Sequence, residues 1–195
     1  EKVLEIPGQR LSLLQKICVT EQVEDYFDYL LELSSSQLTK ILIEGLPMQV
    51  KTLTDFLKEE YYALQPLYNF YFTRDTSVTI GNTSLVCKMA NAVRMRESFI
   101  MDAIFNSGLF FNGKITNMYD ASQNNPSVKI EGDDVLVARE DVLLIGSGAR
   151  TSPQAIDLLI QELCREKLSK RHVIVQQLPE TPESFIHLDM AFTFL

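Results

Sequence analysis

A chain of 195 residues, 46% hydrophobic and 23% charged, has an ordinary globular composition and can bury the core of one or two domains. Its net charge of −8 argues against a surface that attracts nucleic acid or an anionic membrane, and no apolar run approaches the roughly 18 residues of a membrane helix. Residues 1–10 lack the basic start and apolar block of a signal peptide; three scattered cysteines and only two histidines, His172 and His187, point to a reducing compartment, the cytoplasm, rather than a disulfide scaffold or zinc cluster.

From residue 11 to residue 60 the apolar spacing is helical. Leu13, Leu14, Ile17 and Cys18 share one face, then Val23, Tyr26, Phe27, Leu30 and Leu31, then Leu38, Ile41 and Leu42, then Leu53, Phe56 and Leu57. Four short helices are expected, with Ser34, Ser35 and Ser36 supplying a break and an N-cap, and with Gly45 and Pro47 closing the third. Glu21, Glu24, Asp25 and Asp28 read as a solvated face. At Pro66 the period changes to aromatic and β-branched runs, so a boundary is expected there, separating a helical subdomain, 1–65, from a second domain, 66–195, in an α+β fold.

In the second domain a strand at 70–72 leads into Thr73-Arg74-Asp75. A hairpin follows, 78–80 and 85–87 about Gly81-Asn82, then a helix at 93–106 with Phe99, Ile100, Ala103 and Ile104 inward. Residues 112–127 read as a polar loop and 128–130 as a strand. The order then repeats: a hairpin of 135–137 and 142–145, a helix started by Ser152-Pro153 with Ile156, Leu159, Ile160 and Leu163 inward, and a strand at 172–175. Cys87 and Cys164 read as small core residues. The closing stretch, 184–195, reads as a strand that places His187 and Asp189 on one face among Phe185, Ile186, Phe192 and Phe194. Burying that pair is costly unless each satisfies the other or a ligand satisfies both.

The repeat aligns polar residues. Asp75 and Glu131 each precede a hairpin and stand 56 positions apart; Arg94 and Arg150 each follow one, again 56 apart, and a further 56 from Glu131 reaches His187. Strand-hairpin-helix-strand units arranged about a centre would bring Asp75, Glu131, His187 and Asp189 to a common mouth. Such a cavity favours a compact cation that donates several charged hydrogen bonds, for which a guanidinium is the best match, and Arg94 and Arg150 would suit a carboxylate at the ligand's other end. The same spacing also fits salt bridges, Asp75 with Arg94 and Glu131 with Arg150, that only brace each unit.

The runs Pro66-Leu67-Tyr68-Asn69-Phe70-Tyr71-Phe72-Thr73-Arg74-Asp75, Arg94-Met95-Arg96-Glu97-Ser98, Glu131-Gly132-Asp133-Asp134-Val135, Ile145-Gly146-Ser147-Gly148-Ala149-Arg150-Thr151-Ser152 and His187-Leu188-Asp189-Met190-Ala191-Phe192-Thr193 resemble the arginine deiminases of the amidinotransferase, or pentein, superfamily. The match spans 66–195, and the helices before it resemble the family's helical insertion. The resemblance implies a partial α/β propeller in which Asp75 and Asp189 hold the guanidinium, Glu131 assists, and His187 is general acid and base. It also implies that Asn69, Arg94 and Arg150 hold the amino-acid end of arginine. In this family a cysteine thiolate attacks the guanidinium carbon, ammonia leaves, and water releases citrulline from the covalent thiouronium.

Two departures accompany the likeness. Asp133 stands where the family pattern Glu-Gly-Gly-Asp has its second glycine, and the glycine-rich His-Cys segment of the nucleophile has no counterpart, since Cys18, Cys87 and Cys164 lie elsewhere. The chain is therefore expected to be an internal segment of a longer enzyme and inactive alone. A non-catalytic arginine-binding or assembly module, or a related amidinotransferase, is the alternative; Arg94 and Arg150 speak against agmatine, which has no carboxylate. The expected partner is the small molecule L-arginine, with no cofactor, metal, nucleic acid or membrane, and with a homo-oligomer allowed.

Overall fold

The computed structural model describes residues 1–50, 52–57, 61–123, 125–165 and 172–193, the side chains of Asp55 and Glu183 excepted. In chain order its elements are α1 (Pro7–Glu21), α2 (Phe27–Glu32), α3 (Ser35–Glu44), β1 (Leu46–Pro47), α4 (Leu53–Leu57), β2 (Tyr62–Leu64), α5 (Thr73–Thr76), β3 (Ser77–Ile80) and β4 (Thr83–Val86). Then come α6 (Met95–Asn106), β5 (Lys114–Asn117), α7 (Met118–Ala121), β6 (Val135–Arg139), β7 (Val142–Ser147), α8 (Pro153–Arg165), β8 (His172–Gln177) and α9 (Leu188–Ala191). Short 3-10 turns at Lys2–Glu5, Glu24–Tyr26, Ala92–Arg94, Gly132–Asp134 and Glu183–Phe185 join them.

The chain packs as two units, one of Glu1–Tyr71 with Val93–Phe111, the other of Phe72–Ala92 with Asn112–Leu195. In the first, α1 buries Leu13, Leu14, Ile17 and Cys18, and Leu30, Leu38 and Leu42 of the next two helices join this core. Ser34 caps α3 in a reciprocal box: its hydroxyl accepts from the Gln37 N–H while its own N–H donates to Gln37 Oε1. Residues 93–111 belong here, although a single cut at Pro66 would assign them elsewhere. Arg96 of α6, 1% exposed, is the reason: its guanidinium donates to both carboxylate oxygens of Glu21 (2.6 and 2.7 Å) and to the carbonyls of Leu42 (3.0 Å) and Gln65 (2.7 Å). Glu21 is thus a half-buried ion-pair partner and not part of a solvated face, whereas Glu24, Asp25 and Asp28 are exposed as expected.

The second unit holds two three-stranded sheets of the same design. β3 and β4 form an antiparallel hairpin with β5 parallel to β4; β6 and β7 form another with β8 parallel to β7. Ser152 Oγ accepts from the Ala155 N–H to start α8, whose buried face carries Ala155, Ile156, Leu159 and Leu163. The mixed α+β class and the recurrent hairpin-helix-strand order stand. Among the described residues no sheet closes on itself.

Several local expectations do not hold. Residues 70–72 are not a strand but run into α5, and 128–130 pair with no strand, their backbone being held by single bonds such as Ile130 N–H to Lys88 O. The polar stretch 112–127 contains β5 and α7; Asn117 makes the junction by accepting from the Tyr119 and Asp120 N–H groups. Cys164 is exposed rather than core. The closing stretch is helical over Leu188–Ala191, so His187 and Asp189 do not share a strand face, and Phe185 and Phe192 are exposed; the apolar residue buried there is Leu188. Phe194 and Leu195 lie outside the described residues.

Candidate functional site

Three single turns of helix pack together in the second unit, one carrying and two directly following the groups of interest. Asp75 lies in α5, just before β3; Glu131 precedes the 3-10 turn at Gly132–Asp134, just before β6; His187 immediately precedes α9. Close approach of the first two turns depends on Gly132, because a Cβ at that position would lie 2.1 Å from the Arg74 carbonyl oxygen. No other residue fits there without moving α5 and Asp75 with it.

Asp75, Glu131 and His187 are all buried, at 4%, 0% and 6% exposure. Glu131 Oε2 is 2.9 Å from His187 Nε2, and Glu131 Oε1 accepts from the Ala90 N–H at 3.1 Å with the Arg150 guanidinium 3.6 Å away. The other imidazole nitrogen, Nδ1, faces Asp133 Oδ2 at 3.4 Å and Asp75 Oδ1 at 3.6 Å. Arg74 Nε lies 3.4 Å from Asp133 and 3.8 Å from Asp189.

With carboxylates at both nitrogens, the imidazole is held as a cation. Burial alone would pull its pKa down, but the bonds to Asp133 and Glu131 and the charges of Asp134 and Glu131 prevail and raise it to about 10. Burial pushes Asp133 up to about 6, a bond with Asp75 and the charges of Asp75 and Asp189 adding to the rise and His187 opposing it. Burial likewise raises Asp134 to about 6 against the lowering influence of Thr151, the Leu188 N–H and His187.

Two overlapping trios, Asp75-Glu131-His187 and Asp133-His187-Asp189, bring possible ligand atoms within 4.8 Å of one another. A carboxylate oxygen lies within 3.6 Å of each imidazole nitrogen, however, so a metal at His187 would have to displace one of its ion-pair partners. The set suits an organic cation with several N–H groups better.

The structure therefore brings together Asp75, Glu131, His187, Asp189 and, through Glu131, Arg150. Asn69 and Arg94 belong to the first unit. Asn69 is exposed in a turn, and the buried Arg94 guanidinium donates to Glu97 at 3.2 and 2.8 Å. Of the two salt bridges considered as braces, Glu131 with Arg150 is present in the second unit. Sequence reasoning did not assign Asp133 or Asp134 to the site; their signal was adjacency to Glu131 in the run Glu131-Gly132-Asp133-Asp134.

Neither Cys18 nor Cys87 is poised for attack. Burial, reinforced by Glu131, Asp133, Asp75 and Asp134, pushes the Cys87 thiol well above its ordinary value, and burial with Glu24 and Glu21 pushes Cys18 up to about 11.

The family model for arginine deiminase matches residues 14–195. Arginine deiminases of Streptococcus pneumoniae (strain P1031) and Streptococcus agalactiae (serotype Ia) are 31% and 32% identical over 167 residues. Each alignment takes in 85% of this chain and 40% of the relative, so the chain spans about two fifths of the length of the curated relatives it matches. Among solved structures, a dimethylarginine dimethylaminohydrolase adduct with S-methyl-L-thiocitrulline is similar at a TM-score of 0.48 and 20% identity, over 62% of this chain and 41% of that one. No described helix is long and apolar enough to cross a membrane. With the family model matched from residue 14 to residue 195, the chain belongs to the arginine deiminase family.

Proposed function

We propose that the full-length protein hydrolyses L-arginine to L-citrulline and ammonia, and that this chain supplies the groups that hold the guanidinium and move its protons. The observation that carries this reading is His187 held between Glu131 and the Asp75-Asp133 pair, with Asp189 alongside. Asp75 and Asp189 accept from the substrate guanidinium and keep it cationic, hence electrophilic. A cysteine thiolate, none of Cys18, Cys87 or Cys164, attacks the guanidinium carbon; as the C–N bond breaks, the imidazolium of His187 gives its proton to the departing ammonia. His187, now neutral, takes a proton from water as the new C–O bond forms; the C–S bond then breaks as the hydroxyl proton passes to solvent or to the released ammonia, freeing citrulline and the thiolate. Asn69, Arg94 and Arg150 hold the amino-acid end, Arg150 being the one that reaches the site through Glu131 within the second unit.

The two hairpin-helix-strand repeats are read as blades of a partial α/β propeller, residues 66–195, with 1–65 as its helical insertion. Free cysteines and net negative charge fit a cytoplasmic protein of arginine catabolism. A second reading, an arginine-binding module without turnover, is favoured by Arg74, a guanidinium of the chain itself set between Asp133 and Asp189. The test is citrulline and ammonia release from L-arginine by the full-length protein, with His187→Ala as control. Turnover lost in the variant supports hydrolysis; a wild-type protein that binds arginine without releasing citrulline overturns it in favour of the module.

A further inference from the structure

We infer that Asp134 and Thr151 are positioning residues that fix His187 against Glu131, and that they do so through the backbone on both sides of that pair. Asp134 is fully buried yet touches no counter-charge directly: Oδ1 accepts from the Leu188 N–H at 2.9 Å, and Oδ2 accepts from the Thr151 hydroxyl at 2.6 Å. Thr151 Oγ1 in turn accepts from the Glu131 N–H at 3.2 Å. Leu188 directly follows His187, so an unbroken path of three hydrogen bonds runs from the backbone of the proton-transfer group to that of its carboxylate partner.

The local structure requires this support. α9 has four residues, too few to hold a helical turn by its own hydrogen bonds, so the place of His187 is set by whatever anchors the start of α9. Asp134 does so in the manner of an N-cap supplied from another element. The approach is tight: a Cβ on Gly146 of β7 would lie 2.8 Å from Asp134 Oδ1 and 3.0 Å from Leu188 Cβ. Leu136, Leu178 and Leu188 form an apolar cluster beside the contact, with Leu144 packed against it. A buried carboxylate bonded only to an amide and a hydroxyl is a poor device for stability, because its desolvation is not offset by a salt bridge. What it supplies is orientation, together with a negative charge that favours the cationic form of His187.

This inference deepens the proposed proton-transfer role of His187 and rests on it, so its test avoids turnover. In the 195-residue chain, Leu188 amide exchange and the His187 imidazole titration are followed by NMR in Asp134→Asn, Thr151→Val and Thr151→Ser, with circular dichroism and thermal unfolding as fold controls. In folded Asp134→Asn, Leu188 exchange accelerates at least about tenfold and the His187 pKa falls. Thr151→Val accelerates Leu188 exchange less, and Thr151→Ser, which keeps the hydroxyl, restores it. Unchanged Leu188 exchange and His187 titration in folded Asp134→Asn overturn the inference. If that variant does not fold, Thr151→Val decides, since it keeps the carboxylate: wild-type values for both readouts overturn the inference, and altered values support it. Absence of citrulline formation by the full-length wild type would defeat the deiminase reading while leaving these measurements as they stand.

Discussion

Each unit buries an ionic cluster, and the two are built on opposite plans. In the first unit one guanidinium, Arg96, meets one carboxylate, Glu21, and two backbone carbonyls; charges balance and each bond lies between 2.6 and 3.0 Å. In the second, Asp75, Glu131, Asp133, Asp134 and Asp189 crowd about one imidazole and two partly exposed guanidinium groups, Arg74 and Arg150, with several contacts of 3.4 Å or more. The first arrangement is complete and serves to join helices. The second has surplus negative charge and long contacts, which is what the proposed guanidinium-binding role requires.

The comparison can be broken most severely at Arg96. Arg96→Met leaves Glu21 and two carbonyls without their donor and is expected to cost about 3–5 kcal/mol, read as a lower thermal midpoint of the first unit; a loss below about 1 kcal/mol would remove the contrast. Asp133→Asn acts on the second cluster. His187 is expected to titrate about 1–3 pH units lower in that variant, measured by NMR, because one of the carboxylates at Nδ1 loses its charge. The pH dependence of stability follows from the signs. Asp133 and Asp134 rise from 3.8 to about 6 and His187 from 6.5 to about 10 on folding, so each contribution is complete below the lower value and is lost as pH rises through the higher one. Urea midpoints should therefore fall between about pH 4 and 6 and again between about 6.5 and 10, with Asp133→Asn flattening the first step. The smallest effect belongs to the exposed Lys40–Glu44 pair at 3.7 Å, where Lys40→Ala should change stability by less than about 0.5 kcal/mol.

Elements specified by local pattern were legible in the sequence: α1, α3, α6 and α8 from apolar period and caps, and both hairpins from turn residues between β-prone runs. The recurrence linking Asp75, Glu131 and His187 was legible as well, and the three do meet. What misled was tertiary context. The closing stretch has the β-prone composition of a strand, yet the Asp134 contact to Leu188 N–H holds it as a helical turn, so His187 and Asp189 meet Asp133 from the end of a helix instead of along a strand. β5 was hidden because its residues are polar and only partly buried, its strand character coming from pairing with β4. The Glu21–Arg96 pair, 75 positions apart, leaves no local trace in either segment.

The return of residues 93–111 to the first unit bears on how the chain folds. β5 pairs with β4 across residues 87–113, and closing so long a connection carries an entropic cost that grows with its flexible length. Once Arg96 has docked α6 on Glu21, Leu42 and Gln65, only the short runs on either side of the docked segment remain flexible, and that cost falls. We expect such a brace to favour one order of assembly, helices first and the sheet that follows Asp75 afterwards, so that variants of Arg96 should slow β5 pairing as well as weaken the unit they belong to.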